Sequence, residues 1–159
     1  MSFLKAAKLV SLARPETYFL IIGDGPCRRE LEVETKLLGL SDRVRMLGER
    51  KDVLALIQLL DVFVLTSTSE GFPNVLLEAN LAGIPVVTTA AGGAVEVVID
   101  GRTGFVVPCG DIEAIARRTL ELLGNEGLRG RFAEAARDRV KAFFSADKVA
   151  SKIEACYLG

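Results

Sequence analysis

The 159-residue sequence contains no histidine and no tryptophan, and only 6% of it is aromatic. Without histidine the chain cannot itself run imidazole acid–base chemistry, build a Ser-His-Asp triad or ligate a metal through imidazole. Cysteine is scarce too. Cys27, Cys109 and Cys156 lie far apart and are odd in number. They give neither a disulfide framework nor a metal-ligand spacing, and a reducing cytosol is the simplest setting. Neither sign of charge is in excess, with 20 basic residues against 21 acidic. A nucleic-acid-binding face calls for a basic surplus, so no nucleic acid is expected as a partner. No apolar run has the length of a membrane span. Ser2 to Arg14 reads as a helix punctuated by Lys5 and Lys8, not as a secretion signal. Peripheral membrane contact, at an inner face, is the one membrane role left open.

Half of the residues are hydrophobic, and the length suits one domain, residues 1–159, with a real core. Strand-like runs alternate with helical patterns. A helix from Phe3 to about Ala13 ends before Pro15, and Tyr18 to Ile22 is a strand closed by Gly23-Asp24-Gly25-Pro26. A helix from about Pro26 to Leu38 stops at Gly39, and Val44 to Leu47 is a short strand. Asp52 is placed to cap a helix from Val53 to Leu60. Val62 to Thr66 is a strand, a helix runs from Pro73 to about Ala82, and Pro85 to Thr88 is the next strand. A short helix around Ala94 to Ile99 precedes the strand Phe105 to Val107. Asp111 caps a helix to Leu123, and two more helices fill the remainder. This alternation predicts an α/β fold with a parallel, doubly wound sheet.

The chain is organised around Ser69-Glu70-Gly71-Phe72-Pro73-Asn74-Val75-Leu76-Leu77-Glu78-Ala79. Its helix is apolar over most of its circumference, so burial is expected, and the one carboxylate in it, Glu78, then needs a reason. Helical side chains tilt toward the N-terminus, which leans Glu78 back toward Glu70. The amides of Gly71 to Val75 open on the same mouth, where the helix dipole favours anions. Two carboxylates beside an anion site suit a ligand with both hydroxyls and phosphate. The alternative is that Glu70 caps the helix while Glu78 pairs with a lysine or arginine.

Three other stretches could carry chemistry. Gly23-x-Gly25 opens a helix after a strand, as a dinucleotide fingerprint does, but Arg28 stands where the third glycine belongs. A tight turn and a lining of the ligand cleft are both open there. Glu49 could imitate a ribose-binding acid, a reading that leaves Glu70 and Glu78 unexplained. Gly92-Gly93 lets backbone come close to something. Arg129, Arg131, Arg137 and Arg139 interleave with acids and read as a solvated helix face, and Glu96 reads as a local cap or pair.

The Glu-x7-Glu pattern within Ser-Glu-Gly-Phe-Pro-Asn-Val-Leu-Leu-Glu-Ala resembles the donor-site motif of retaining GT-B glycosyltransferases of family 4, the group 1 glycosyltransferases. Gly83-Ile84-Pro85-Val86-Val87-Thr88, Gly92-Gly93-Ala94-Val95-Glu96 and the run Asp100 to Asp111 are similar to later family segments in order and spacing. The resemblance covers roughly Tyr18 to the C-terminus. It implies a Rossmann-like domain, the C-terminal half of a GT-B enzyme, that binds a nucleoside diphosphate sugar as donor substrate without cofactor or metal. Glu70 would face the donor sugar and act catalytically, and Glu78 would take the ribose hydroxyls. Gly71, Phe72, Pro73 and Asn74 would hold donor oxygens. Gly23, Gly25, Gly92 and Gly93 would line the cleft, with Arg50 and, more weakly, Asp52 by the base.

Domains of this family begin with an earlier strand, followed by an Arg- and Lys-bearing loop, and carry an N-terminal acceptor domain. This sequence shows none of the three, so it reads as a piece lacking its first strand, inactive alone. Two apolar edges, at Tyr18–Ile22 and Val62–Thr66, would then face each other unpaired and invite self-association or an incomplete sheet. A non-catalytic nucleotide-sugar-binding module and a GT-B-like epimerase fragment are the competing functions.

Overall fold

The computed structural model describes residues 1–144. Helix α1 (Ser2–Ala13) precedes β1 (Phe19–Ile22), α2 (Arg28–Leu37), β2 (Val44–Gly48) and the short α3 (Val53–Ile57). Then come β3 (Phe63–Leu65), α4 (Asn74–Ala82), β4 (Val86–Thr89), α5 (Ala94–Val97) and β5 (Phe105–Val107), and α6 (Ile112–Gly124) and α7 (Glu126–Phe143) close the described chain. Every strand pair is parallel, as the helical crossovers require. The fold is therefore the expected Rossmann-like α/β class. The second of the two late helices, and Cys156, lie outside the described residues.

Side chains alternate across β4, which fixes the layers. Val86 packs with Ile57, Leu76, Ala79, Ala94 and Val97 of α3, α4 and α5. Val87 turns the other way, onto Phe105, Leu122 and Phe132. A third cluster joins α1 to α6 through Ala6, Ala7, Val10, Ala114 and Ile115, with Phe19 and Val44 of the first two strands. Small side chains at Ala6, Ala7 and Ala114 let the two helices approach closely.

Local chemistry sets the helix ends. Asp111 caps α6 by accepting from the Ala114 amide at 2.9 Å, as expected. Asn125 does the same for α7 through Leu128. Gly83 closes α4 in the left-handed conformation (φ +77°), which only glycine adopts without cost. Several boundaries differ from expectation. Pro73 sits just outside α4, whose first residue is Asn74. Helix α3 ends at Ile57 because Leu59 and Leu60 bond back three residues, tightening its last turn. Asp52 does not cap it. Both its carboxylate oxygens are taken by Arg50, at 2.8 and 2.7 Å, a forked pair that outcompetes a single amide. Leu81 is half exposed, so α4 is not buried all round.

Of the four late arginines only Arg131 is exposed and unbonded among the described residues, as a solvated face predicts; the other three are engaged. Arg129 donates to the carbonyls of Leu122 and Leu123, Arg137 to those of Leu81 and Ala82, and Arg139 to those of Glu96 and Val97. These are the last carbonyls of α6, α4 and α5, which lack helical partners and carry the negative end of the dipole. Three guanidinium groups of α7 thus satisfy three helix C-termini. Glu96 takes part through its carbonyl, not as the side-chain cap or pair expected of it.

The sheet is split. β1 pairs only with β2, and β3 pairs with β4, which pairs with β5; no ladder joins β1 to β3. Residues 2–13 are helical, so they do not fill the gap. A cavity of about 1080 Å³ lies between the two edges, lined by Phe19 to Ile22, Phe63 to Leu65, Ala6, Val10, Ile57 and Ile115 among others. Burial follows the same division. All four residues of β4 are buried, whereas Leu20, Ile21, Ile22, Phe63, Val64 and Leu65 are only partly covered. The incomplete sheet expected from the sequence is present, and direct closure of the two edges is not.

Amide hydrogen exchange should reproduce this division. In a parallel ladder alternate residues bond to opposite neighbours, so the Leu20 and Val64 amides face the gap while Val87 and Thr88 lie between two paired strands. Leu20 and Val64 are expected to exchange far faster than Val87 and Thr88. Equal protection would mean that another strand lies between β1 and β3.

Candidate functional site

Three carboxyl-end segments converge: the loop from Thr66 to Pro73 after β3, the turn from Ala90 to Gly93 after β4, and the N-terminus of α4. No side chain caps α4, and Gly71 and Phe72 are exposed. The Leu76 amide is spent on the Pro73 carbonyl at 3.0 Å, which leaves the amides of Asn74 and Val75 and the helix dipole to serve an anion. Glu70 is partly buried, and its Oε1 accepts from Ser67 Oγ at 2.5 Å. Glu78 is partly buried one helical stretch further on. Among the described residues neither carboxylate forms an ion pair. Among the described residues, then, Glu70 does not cap the helix and Glu78 is not paired to a base.

Gly92 and Gly93 make a close approach, but to protein. Gly92 has φ +49°, and a Cβ there would lie 1.8 Å from the Glu70 carbonyl oxygen. A Cβ on Gly93 would lie 2.5 Å from the Gly71 carbonyl. The Gly93 amide donates to that same carbonyl at 3.0 Å. These glycines thus have a packing reason of their own: they seat the loop that carries Glu70. Phe72, beside Gly93, rests on Phe144 with ring centroids 5.8 Å apart.

The remaining expected residues lie further out. Arg50 and Gly23 line the cavity between β1 and β3, which reaches the β3 loop through Thr66 and Ser67. Arg50 is held by Asp52, and that hydrogen bond raises the guanidinium pKa and lowers that of the carboxyl. Both groups are fully exposed, so the pair contributes little stability; what it contributes is present above the ordinary aspartate range and lost as pH falls through the Asp52 pKa. Gly25 spends its amide on Asp24 Oδ1 at 2.8 Å, and Arg28 bonds Asp24 and Glu32. This turn is satisfied internally, which favours the simple-turn reading for Gly25. Glu70, Gly71, Phe72, Gly92 and Gly93 are brought into one contact set, with Pro73, Asn74 and Glu78 following on α4. Gly23, Gly25 and Arg50 are not in it.

Two participants were not singled out in the sequence. Ser67 holds Glu70, and its Ser-x-x-Glu spacing is a signature normally associated with helix starts. Thr89, buried at the end of β4, donates from Oγ1 to the Ser67 carbonyl at 2.5 Å. Nothing in the local sequence marks Thr89.

A parallel sheet whose post-strand loops meet a helix N-terminus is the ligand-binding plan of the open, Rossmann-like α/β domains. The chain matches the model of the glycosyl transferases group 1 family over residues 2–139, and it belongs to that family. It is 35% identical to the N-acetyl-alpha-D-glucosaminyl L-malate synthase of Bacillus anthracis over 95% of this chain and 39% of that protein. It is 32% identical to the capsular polysaccharide biosynthesis glycosyltransferase CapM of Staphylococcus aureus, over 87% of this chain and 37% of that one. The chain thus spans about two fifths of the length of these relatives. Among solved structures, HepE of Anabaena in complex with UDP superposes with a TM-score of 0.88 at 28% identity, covering 98% of this chain and 44% of HepE. The C-terminal domain of the group 1 family protein LpcC from Francisella tularensis superposes with a TM-score of 0.83 at 26% identity, over 91% of this chain and 78% of that domain.

The packing of Gly92 yields a test. Gly92→Ala combines a left-handed backbone with a direct clash on a carbonyl, and is expected to cost about 1–3 kcal/mol. Urea unfolding measures it, and a wild-type midpoint in the alanine variant would mean that the two loops are not in contact.

Proposed function

We propose that this chain is the donor-binding half of a retaining glycosyltransferase of family 4, which transfers a hexosyl group from a nucleoside diphosphate sugar to a glycan or lipid-linked acceptor. The reading is carried by one observation: two carboxylates without ion-pair partners among the described residues flank an uncapped helix N-terminus. A diphosphate suits the open amides and the dipole, and ribose and sugar hydroxyls suit the carboxylates. In this reading Glu78 accepts from the ribose hydroxyls. Glu70 faces the donor sugar, where a fixed carboxylate orients hydroxyls and stabilises positive charge as the glycosidic bond breaks. The amides of Gly71, Phe72 and Asn74 hold donor oxygens and offset charge on the leaving diphosphate. Complexes of HepE with UDP and with UDP-glucose lend support.

Titration with UDP, followed by amide NMR, is expected to move the signals of residues 70–78. Glu78→Gln should weaken UDP binding by about 1–3 kcal/mol, the cost of losing a charged hydrogen-bond partner. Shifts confined to other regions would place the nucleotide elsewhere and overturn the assignment.

The acceptor is assigned to the remainder of a relative-length protein. Positioning of two reactants is worth roughly 7–11 kcal/mol, so the 159-residue chain alone is expected to show no sugar transfer at an enzyme-like rate. A radiolabelled donor with extracted lipid and glycan acceptors is the assay. Robust transfer by this chain would refute the division of labour.

A further inference from the structure

Ser67 stands where the loop after β3 leaves the sheet, three residues before Glu70, and does two jobs. Its hydroxyl donates to Glu70 Oε1 at 2.5 Å. Its carbonyl accepts from Thr89 Oγ1, again at 2.5 Å, and from Cys109 Sγ at 3.8 Å. Thr89 is almost fully buried and belongs to β4, whose four residues are all covered. The chain of contacts therefore runs from the fully buried strand of the sheet, through a serine backbone, to one oxygen of a carboxylate. A hydroxyl carries a single proton. Ser67 spends that proton on Oε1, which holds one carboxylate oxygen and leaves the other free to accept. From the other side, Gly92 and Gly93 seat the backbone of Glu70 and Gly71.

We infer that Ser67 and Thr89 are positioning residues: they fix the rotamer of Glu70 so that its second oxygen points at the donor sugar. The inference rests on the donor-binding reading given above. A glutamate has three side-chain torsions, and an untethered one averages over rotamers at an entropic cost on binding. A short bond to a strand-anchored serine removes that averaging before the ligand arrives, which is what preorganisation of a charged group demands. The arrangement is specific in direction, because only a hydroxyl at this position can donate to Oε1 while its own carbonyl is held from behind.

The test uses Ser67→Ala, Ser67→Thr and Thr89→Val in the full 159-residue chain. In ligand-free protein, three-bond couplings of the Glu70 side chain are expected to report one rotamer in wild type and Ser67→Thr, and averaging in Ser67→Ala. Thr89→Val should average Glu70 less, since it frees the Ser67 carbonyl without removing the hydroxyl. Binding is then compared with UDP and UDP-glucose as probes. The ratio of the two dissociation constants is expected to shift against UDP-glucose by about tenfold in Ser67→Ala, the size of one lost charged hydrogen bond, and to recover in Ser67→Thr. A Glu70 that stays fixed in Ser67→Ala overturns the inference. So does averaging of Glu70 with no change in the ratio, because the serine would then serve the loop alone. If wild type binds neither probe, the donor-binding reading falls and takes this one with it; binding of UDP with an unchanged ratio removes only the positioning role.

Discussion

The site depends on one steric contact. The carbonyl of Glu70 occupies the space where any residue but glycine would put a Cβ at position 92. That contact locks the loop after β3 onto the turn after β4, and the bond from the Gly93 amide to the Gly71 carbonyl fastens it again one residue on. A Cβ at position 92 would push this loop off the turn after β4, leaving the Ser67–Glu70 and Thr89–Ser67 bonds to tie it to the sheet. The energetic scale is modest, a clash avoided and one backbone bond, but its geometric effect is large, because it sets where Glu70 begins.

The support continues outward. Helices α4 and α5 carry the mouth at their N-terminal ends, and their C-terminal ends are held by Arg137 and Arg139 of α7. Each guanidinium satisfies carbonyls that would otherwise rely on water, worth on the order of 1–2 kcal/mol apiece for a charged donor at a partly exposed site. The planar guanidinium offers its donors in a fixed fork, and Arg137 and Arg139 each use Nε and Nη2 to reach two adjacent carbonyls. Helix α7 is thus a clamp on the back of the site, and among the described residues it forms no ion pair with either carboxylate in front.

What the sequence revealed was whatever is local. The order of strands and helices follows from hydrophobic period, the end of α4 from Gly83, the start of α6 from Asp111, and the candidate carboxylates from their spacing on one helix and the loop before it. What stayed hidden was pairing across distance. Thr89 lies 22 residues from its Ser67 partner, and Arg137 lies 55 from Ala82; nothing in either neighbourhood announces the other. Asp52 misled for the opposite reason. It sits at a helix start, where a capping role is the obvious expectation, but an arginine two residues earlier forms the stronger, forked bond. Gly92 and Gly93 were legible as a close approach, while their packing partner, the Glu70 loop, depends on the fold.

The split sheet shapes how the two sides of the cleft relate. Glu70, Gly71, Gly92 and Glu78 all belong to the β3–β4–β5 half, where ladder bonds fix register residue by residue. Gly23 and Arg50 belong to the β1–β2 half, and no strand pairing connects the two. What holds the halves together is side-chain packing, chiefly α1 against α6, in a cluster that also takes in Phe19, Val44 and Val107. Hydrogen-bonded ladders allow only discrete registers, since a slip of one residue inverts every side chain. Packed helices carry no such restriction and shift by small sliding motions. The carboxylates and the α4 N-terminus therefore share the half of the sheet that ladder bonds hold in register, while the far wall of the cleft is joined to it by side-chain packing.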